Sequence, residues 1–126
     1  MMSDLSPAVL AEFFVAENAT GEEATRRTGI DKIILGSTID AFQFDPCGYS
    51  ANGILEGGYY WTIHVTPEDS FSYASFETNY PTADYHKMLE KVLKIFKPKH
   101  FNVAVMANEV NSLKHNRQVL YYFSLT

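Results

Sequence analysis

Residues 59–79 read YYWTIHVTPEDSFSYASFETN, and their alternating pattern decides the fold class. From Tyr59 to Val65 every second residue is apolar or aromatic, and most of the residues between them are polar. A period of two residues is typical of a half-buried β-strand. The alternation resumes over residues 71–79, after the short, turn-like segment 67–70. We therefore expect two antiparallel strands that form a hairpin.

Helices and further strands are expected on both sides of this hairpin. Residues 7–29 carry two short helical patterns, and residues 83–97 follow a longer helical period. Period two begins at Ile39, and two more strands are expected over about 100–107 and about 117–125. This order predicts an α+β fold, an antiparallel β-sheet with helices on one face, in which residues 1–126 form a single domain.

The ends of the helices are marked by capping residues. Ser6 precedes Pro7, which is a favoured start for a helix. Thr20 and Glu23 have the spacing of a capping box, and Gly29 is a plausible stop. These signals predict two short helices before the first strand.

Composition excludes several classes of function. The net charge is −5 and no basic stripe is present, so nucleic acid is not an expected partner. Cys47 is the single cysteine, which rules out an intrachain disulfide and favours a reducing, cytoplasmic location. Neither a signal peptide nor a membrane span is indicated, because no run of about 18 apolar residues occurs.

The second face of the sheet carries a mixed set of side chains. It would hold Thr62, His64, Ser75, Glu77, Asn102 and Met106. This set is too polar for a simple core and too rich in aromatic neighbours for a plain solvated surface. The face is expected to meet another sheet, a partner chain or a ligand.

Reactive groups concentrate between Phe44 and Glu68. Ser50 and His64 could form a hydroxyl–imidazole pair if two adjacent strands bring them together, although a satisfied polar histidine is the alternative. Cys47 could be a nucleophile with a lowered pKa, or a small buried hydrophobic residue. No Gly-x-Ser-x-Gly elbow or orienting acid is evident, which argues against a serine or cysteine hydrolase.

Three further residues are candidates for binding. Phe44 could stack on a planar ligand such as a nucleobase, or be a core aromatic. Glu68 is most simply a solvated turn residue. Glu77 shares a strand face with aromatic residues, so partial burial and an ammonium partner are expected for it. The scattered histidines predict no metal site.

Three long motifs resemble eukaryotic S-adenosylmethionine decarboxylase. They are FDPCGYS at 44–50, TIHVTPE at 62–68 and FSYASFETN at 71–79. Flanking segments MSDLSPAV, GSTIDA and VLKIFKP agree with this resemblance, which covers residues 2 to about 107. The family is a lyase of spermidine and spermine biosynthesis, and its fold is a four-layer αββα sandwich of two similar halves. The resemblance therefore implies that this chain is one half of such a sandwich.

The resemblance also implies roles for individual residues. Ser50 and His64 match a serine and a histidine that assist autocatalytic cleavage of the proenzyme. Phe44 matches an aromatic that stacks on the adenine of S-adenosylmethionine, and Glu68 matches a carboxylate that holds the ribose hydroxyls. Glu77 matches an acidic residue of a charged network that binds putrescine in some members. Met106 falls where some members have an aromatic residue near putrescine.

The implied cofactor is a pyruvoyl group, which acts as the electron sink for decarboxylation. Its precursor serine is not in this chain, since no Glu-Ser-Ser sequence occurs, and Cys47 does not match the family's proton-donating cysteine. The resemblance implies that this chain is the C-terminal half of the proenzyme and is inactive alone. The expected partner is the N-terminal half, and a homo-oligomer is also expected. The alternative is a non-catalytic module that dimerises through its exposed sheet face and binds an adenosine-containing ligand.

Overall fold

A seven-stranded sheet organises the chain, in the order β2-β3-β4-β5-β1-β6-β7. The computed structural model describes residues 1–14, 20–68, 70–82, 84–105 and 124–125, with only the backbone for the last pair. All strand pairs are antiparallel. The strands are β1 (Met2–Leu5), β2 (Thr38–Gln43), β3 (Tyr49–Leu55), β4 (Tyr59–Glu68), β5 (Phe71–Thr78), β6 (Pro98–Asn102) and β7 (Ser124–Leu125).

In the described part of the chain, three α-helices and one short 3-10 helix accompany the sheet. They are α1 (Pro7–Ala11), α2 (Gly21–Thr28), the 3-10 helix Ile30–Lys32 and α3 (Tyr85–Phe96). The predicted capping box of α2 is present, because the Thr20 hydroxyl accepts a hydrogen bond from the Glu23 amide and the Glu23 carboxylate accepts one from the Thr20 amide. Gly29 ends the helix in the left-handed conformation, with φ of 82°. Ser6 precedes α1, but its side chain makes no capping bond.

The hydrophobic core lies between the helices and one face of the sheet. Alternate residues of β3, β4 and β5 point into it, and the helices contribute residues such as Leu10, Ala24 and Phe96. The Phe13 ring packs against both Tyr49 and Phe96. Since all these side chains belong to one cluster, the helices lie on one face of the sheet. The buried hydrophobic residues of β3, β4 and β5 include Tyr49, Ala51, Leu55, Trp61, Ile63, Val65 and Ala74.

The α+β prediction is confirmed, as are the hairpin β4–β5 and its two faces. The third helix is shorter than the predicted 83–97, and Pro98 opens β6 as well as ending the helix. The strand expected over 100–107 is therefore displaced, and Met106 lies outside the described residues. Of the expected strand 117–125, only Ser124–Leu125 is described. No helix in the described part of the chain is long and apolar enough to cross a membrane.

Two strands, β1 and β3, were not predicted. The strand β1 is four residues long and lies between β5 and β6. Its sequence MSDL is too short for a convincing alternation, and it joins the sheet through partners that are distant in the chain. Met2 pairs with Ala74 on one side and with Phe101 on the other.

Candidate functional site

Ser50 and His64 face each other across two neighbouring strands. They are directly opposed in the β3–β4 register, and Ser50 Oγ lies 2.9 Å from His64 Nδ1. Both side chains project from the sheet face on which no described helix lies, and His64 is exposed. The sequence left open whether the chain would bring these residues together, and the register does so.

The second nitrogen of His64 lies near a hydroxyl on its own strand. Thr62 Oγ1 is 3.4 Å from His64 Nε2. If Nε2 carries the proton and donates to Thr62, Nδ1 is free to accept a proton from Ser50. This is the tautomer in which His64 can act as a base toward the Ser50 hydroxyl.

An aromatic pair borders the same face at its β2 end. The Phe42 and Phe44 ring centroids are 4.9 Å apart with an interplanar angle of 64°, an edge-to-face contact. A Cβ built on Gly48 would lie 3.4 Å from the Cβ of Phe44, so the glycine leaves room for the Phe44 side chain against the backbone. Phe44 is 47% exposed, which excludes the core-aromatic alternative. One face of a ring fixed in this way can stack on a planar ligand.

The corner of the sheet next to this pair holds Glu68. The Phe44 amide donates a hydrogen bond to the Gly48 carbonyl, and the β3–β4 register continued by one residue places Gly48 opposite Thr66. Glu68 follows two residues later on the same face, is exposed, and is opposite Phe71. Phe44 and Glu68 therefore border one open corner.

Glu77 is exposed, contrary to the expectation of partial burial. Its Oε1 accepts a hydrogen bond of 2.6 Å from the Tyr60 hydroxyl, on the neighbouring strand. This bond, and to a smaller extent burial, raise the pKa of the Tyr60 hydroxyl, because ionised Tyr60 could no longer donate to the carboxylate. Glu77 remains exposed because the sheet face that carries it has no described layer above it.

Cys47 is half-buried and lies in the loop between β2 and β3. It forms an isolated antiparallel bridge with Phe14, and the Gly48 amide donates to the Phe13 carbonyl. This loop thus attaches to the end of the first helical region. Among the described residues, no group of three or more His, Cys, Asp or Glu side chains is arranged to hold a metal ion.

Comparison with known proteins decides the family. The adenosylmethionine decarboxylase profile matches residues 1–124. The chain belongs to the adenosylmethionine decarboxylase family. It is 47% identical over 109 residues to the S-adenosylmethionine decarboxylase proenzyme of Xenopus laevis, covering 86% of this chain and 32% of that protein. The proenzyme of Dictyostelium discoideum is 50% identical over 109 residues, covering 86% of this chain and 28% of that protein.

A solved structure agrees with this family membership. The crystal structure of a Trypanosoma brucei AdoMetDC monomer superposes with a TM-score of 0.71 at 30% identity, covering 79% of this chain and 40% of that one. The chain thus spans about a third of the length of the curated relatives that it matches.

Sequence reasoning missed three neighbours of the candidate residues. The Phe42 ring packs on Phe44, the Thr62 hydroxyl lies near Nε2 of His64, and the Tyr60 hydroxyl donates a hydrogen bond to Glu77. The available signal was the period of two, which puts Tyr60, Thr62 and His64 on one face of β4. What the period could not give is the cross-strand register, which determines that Tyr60 reaches Glu77.

Proposed function

We propose that this chain is the C-terminal half of a pyruvoyl-dependent S-adenosylmethionine decarboxylase, the lyase that supplies the aminopropyl donor for spermidine and spermine. The observation that carries the proposal is the 2.9 Å approach of Ser50 Oγ to His64 Nδ1 on an uncovered sheet face. This pair lies in a chain that is 47% and 50% identical, each over 109 residues, to two proteins named as proenzymes. Reconstitution with a complementary half tests it.

Ser50 and His64 would assist the cleavage that matures the proenzyme. With Nε2 protonated toward Thr62, Nδ1 of His64 can accept the Ser50 proton, and the Ser50 oxygen can in turn take a proton at the cleavage site. An exposed His64 is accessible to a segment brought by a partner. Neither residue supplies an electron sink, which fits a role in maturation.

The face also suits a pyruvoyl group supplied from outside the chain. Ser50, Thr62 and His64 offer hydrogen-bonding groups to a carbonyl, and β2 to β5 contain no Lys or Arg. When bound, a pyruvoyl carbonyl withdraws the electrons released on loss of carbon dioxide. The residues of this chain would bind and orient the substrate beside it.

Phe44 and Glu68 would hold the nucleoside part of the substrate. The free face of the Phe44 ring can stack on adenine, while the exposed Glu68 carboxylate can accept hydrogen bonds from the two ribose hydroxyls. Both lie at one open corner of the face. Glu77 would meet an ammonium group, either of the partner half or of putrescine, because its carboxylate is exposed.

The test combines this chain with the part of the Xenopus laevis proenzyme that it does not match. We expect release of labelled carbon dioxide from carboxyl-labelled S-adenosylmethionine by the mixture and by neither part alone. If processing of the complementary part requires the chain in cis, a fusion of the two parts replaces the mixture. No release from either arrangement would contradict the proposal.

Three substitutions separate the proposed roles. Ser50→Ala and His64→Ala should slow cleavage of the fusion by about 100-fold or more, which is the range for loss of a general base. Glu68→Gln should leave cleavage unchanged and raise the KM for S-adenosylmethionine. Glu56→Gln, an exposed carboxylate in the turn between β3 and β4, is the matched control.

A second candidate is a non-catalytic module that dimerises through the open face and binds an adenosine-containing ligand. Exposed Phe42, Ile54 and Phe71 on that face favour it. Two copies would, however, appose Asp40, Glu68 and Glu77 without a cation from β2 to β5, so neutral pH should weaken such a dimer. Sedimentation tests it, since a stable dimer at neutral pH that binds methylthioadenosine and never reconstitutes activity would support this candidate.

A further inference from the structure

A gap interrupts the sheet beside β5. The strand β5 has eight residues, but its neighbour β1 has four, and they pair only through Met2 with Ala74 and Ser3 with Tyr73. On this side, the segment 76–78 of β5 has no partner strand among the described residues. Its other side is fully paired with β4, up to Thr78 opposite Trp61.

The backbone groups of this segment face the gap. The Asn79 amide donates to the Tyr60 carbonyl, which fixes residue 79 as one that points toward β4. In an antiparallel ladder, the backbone groups of successive residues point to opposite edges. Phe76 and Thr78 therefore direct their amide and carbonyl groups into the gap, as Ala74 does toward β1. A row of groups that no described strand pairs is a template for another strand.

The opposite wall of the gap includes Met1 and the residues that follow β6. The Asn102 amide donates to the Met1 carbonyl at 2.8 Å, and the Met1 ammonium donates to the Asn102 carbonyl at 2.7 Å. Val103 and Ala104 follow, and both line the cavity that fills the gap. The Met1 ammonium thus occupies the place where a further peptide amide would continue the ladder.

The cavity is lined by residues from both faces of the sheet. Its volume is about 690 Å³, and it is lined from the helix side by Met88 and Leu89 of α3 and from the open face by Thr62 and Glu77. A pocket between intact layers would be lined from one face alone. The side chains of α3 at this position are only half-buried, so the apolar lining of the gap is incomplete.

We propose that this gap takes one extended strand from the part of the proenzyme that the chain does not contain, antiparallel to β5 and in line with β1. The inference rests on the proposed function, from which the identity of the partner follows. Three observations support a strand as the occupant: the β5 edge that no described strand pairs, the cavity beside it that Val103 helps to line, and a register that β1 has already set.

The register specifies the chemistry of the incoming strand. Continued from Met2–Ala74, it places the three residues before Met1 opposite Phe76, Glu77 and Thr78. The residues opposite Phe76 and Thr78 would point toward α3 and should be apolar. The residue between them would point to the open face beside the Glu77 carboxylate, where a Lys or Arg is complementary.

Two N-terminal extensions of the full chain test whether the gap accepts a strand in this register. One places Lys-Val-Lys-Val directly before Met1, so that both valines face α3 and a lysine lies beside Glu77. The other places Val-Lys-Val-Lys there, which has the same composition but sends every side chain to the opposite face. The in-register extension should unfold about 4 °C or more above the shifted one. It should also slow hydrogen exchange at the Phe76 and Thr78 amides.

A pair of substitutions locates the effect. In the in-register extension, Thr78→Val keeps the amide donor and should keep the gain, whereas Thr78→Pro removes the donor and should abolish it. Valine controls for loss of the hydroxyl, which donates to the Tyr60 carbonyl. Equal unfolding midpoints for the two extensions, together with unprotected Phe76 and Thr78 amides, would overturn the proposal that the gap takes a strand.

The complementary part of the Xenopus laevis proenzyme tests the occupant. Its binding should protect the Phe76 and Thr78 amides, and the in-register extension should weaken that binding by about tenfold or more through local competition. Restored decarboxylation without this protection overturns the inference alone, while protection without decarboxylation overturns the proposed function alone. Protection of the same amides by self-association of the unextended chain would assign the gap to a second copy and overturn the proposal.

Discussion

The two faces of strands β3 to β5 are built from the same segments and differ in almost every property. On the helix-covered face, Tyr49, Trp61 and Ile63 are at most 1% exposed. On the open face, their immediate neighbours are Ser50, Thr62 and His64. The covered face is held by packing and the open face by cross-strand hydrogen bonds. Stability and chemistry are therefore separated by a single residue step along each strand.

The largest expected effect tests whether the covered face carries the stability. A Cβ on Gly53 would lie 2.1 Å from the Trp61 indole, so Gly53→Ala must displace a fully buried ring. We expect a loss of about 3 kcal/mol in the free energy of unfolding. Urea denaturation measures it, with Gly29→Ala as the control.

The control isolates strain in the backbone from crowding. Gly29 has φ of 82°, and a Cβ added to it would have nothing within 4 Å, so alanine there costs only the left-handed conformation, about 1 kcal/mol. Equal losses at Gly53 and Gly29 would show that the indole moves freely. The packing argument for the covered face would then fail.

The second prediction concerns a polar group within the covered face. Burial raises the pKa of Tyr49 to about 12, from an ordinary value of 10.0, and its hydroxyl is hydrogen-bonded to Thr25. Tyr49→Phe should cost about 1 kcal/mol at neutral pH, the usual value of a hydrogen bond. Chemical denaturation at several pH values measures the difference between the two proteins.

The pH dependence of this difference has a definite sign. Above pH 10 the unfolded chain loses the Tyr49 proton, whereas the folded chain keeps it to about pH 12. The unfolded state then binds fewer protons, so the stability that Tyr49 contributes falls as the pH rises through this range. The fall should be on the order of 2 kcal/mol and absent from Tyr49→Phe. A constant difference from pH 9 to pH 12, or a rising one, would contradict burial as the cause.

The two faces also differ in how much of their structure could be predicted from the sequence. The period of two in 59–79 specified the strands, and the helical period located α3, because both patterns follow from burial of one side. The pairing of Ser50 with His64 followed from the β3–β4 register, which no local pattern gives. The strand β1 could not be predicted for the same reason, since its partner strands lie about 70 and 100 residues away in the chain.

On the open face, the orientation of the Phe44 ring should control the binding of an adenosine-containing ligand. Phe42→Ala removes the edge-to-face neighbour of Phe44, and the freed ring can leave the orientation that stacks on adenine. The affinity of the chain for methylthioadenosine, measured by calorimetry, should fall about threefold to tenfold. Ile54→Ala removes an apolar residue that is 65% exposed near the other end of the same face and should leave the affinity unchanged. Equal losses in both variants would show that general hydrophobicity, not ring orientation, controls binding.

The smallest effect on stability is expected for Tyr60→Phe, which removes the hydroxyl that donates to Glu77. The pair is on the open face, so the free energy of unfolding should change by less than about 0.5 kcal/mol. The electrostatic effect should still be measurable, because the bond to Glu77 is the main reason that the pKa of Tyr60 is raised. In Glu77→Gln, Tyr60 should ionise at lower pH than in the unsubstituted chain, as followed by tyrosinate absorbance with Tyr60→Phe as the blank. Glu56→Gln should leave that titration in place. If Glu77→Gln leaves it unchanged as well, the carboxylate is not held by Tyr60 in solution, and the open face is less organised than its hydrogen bonds indicate.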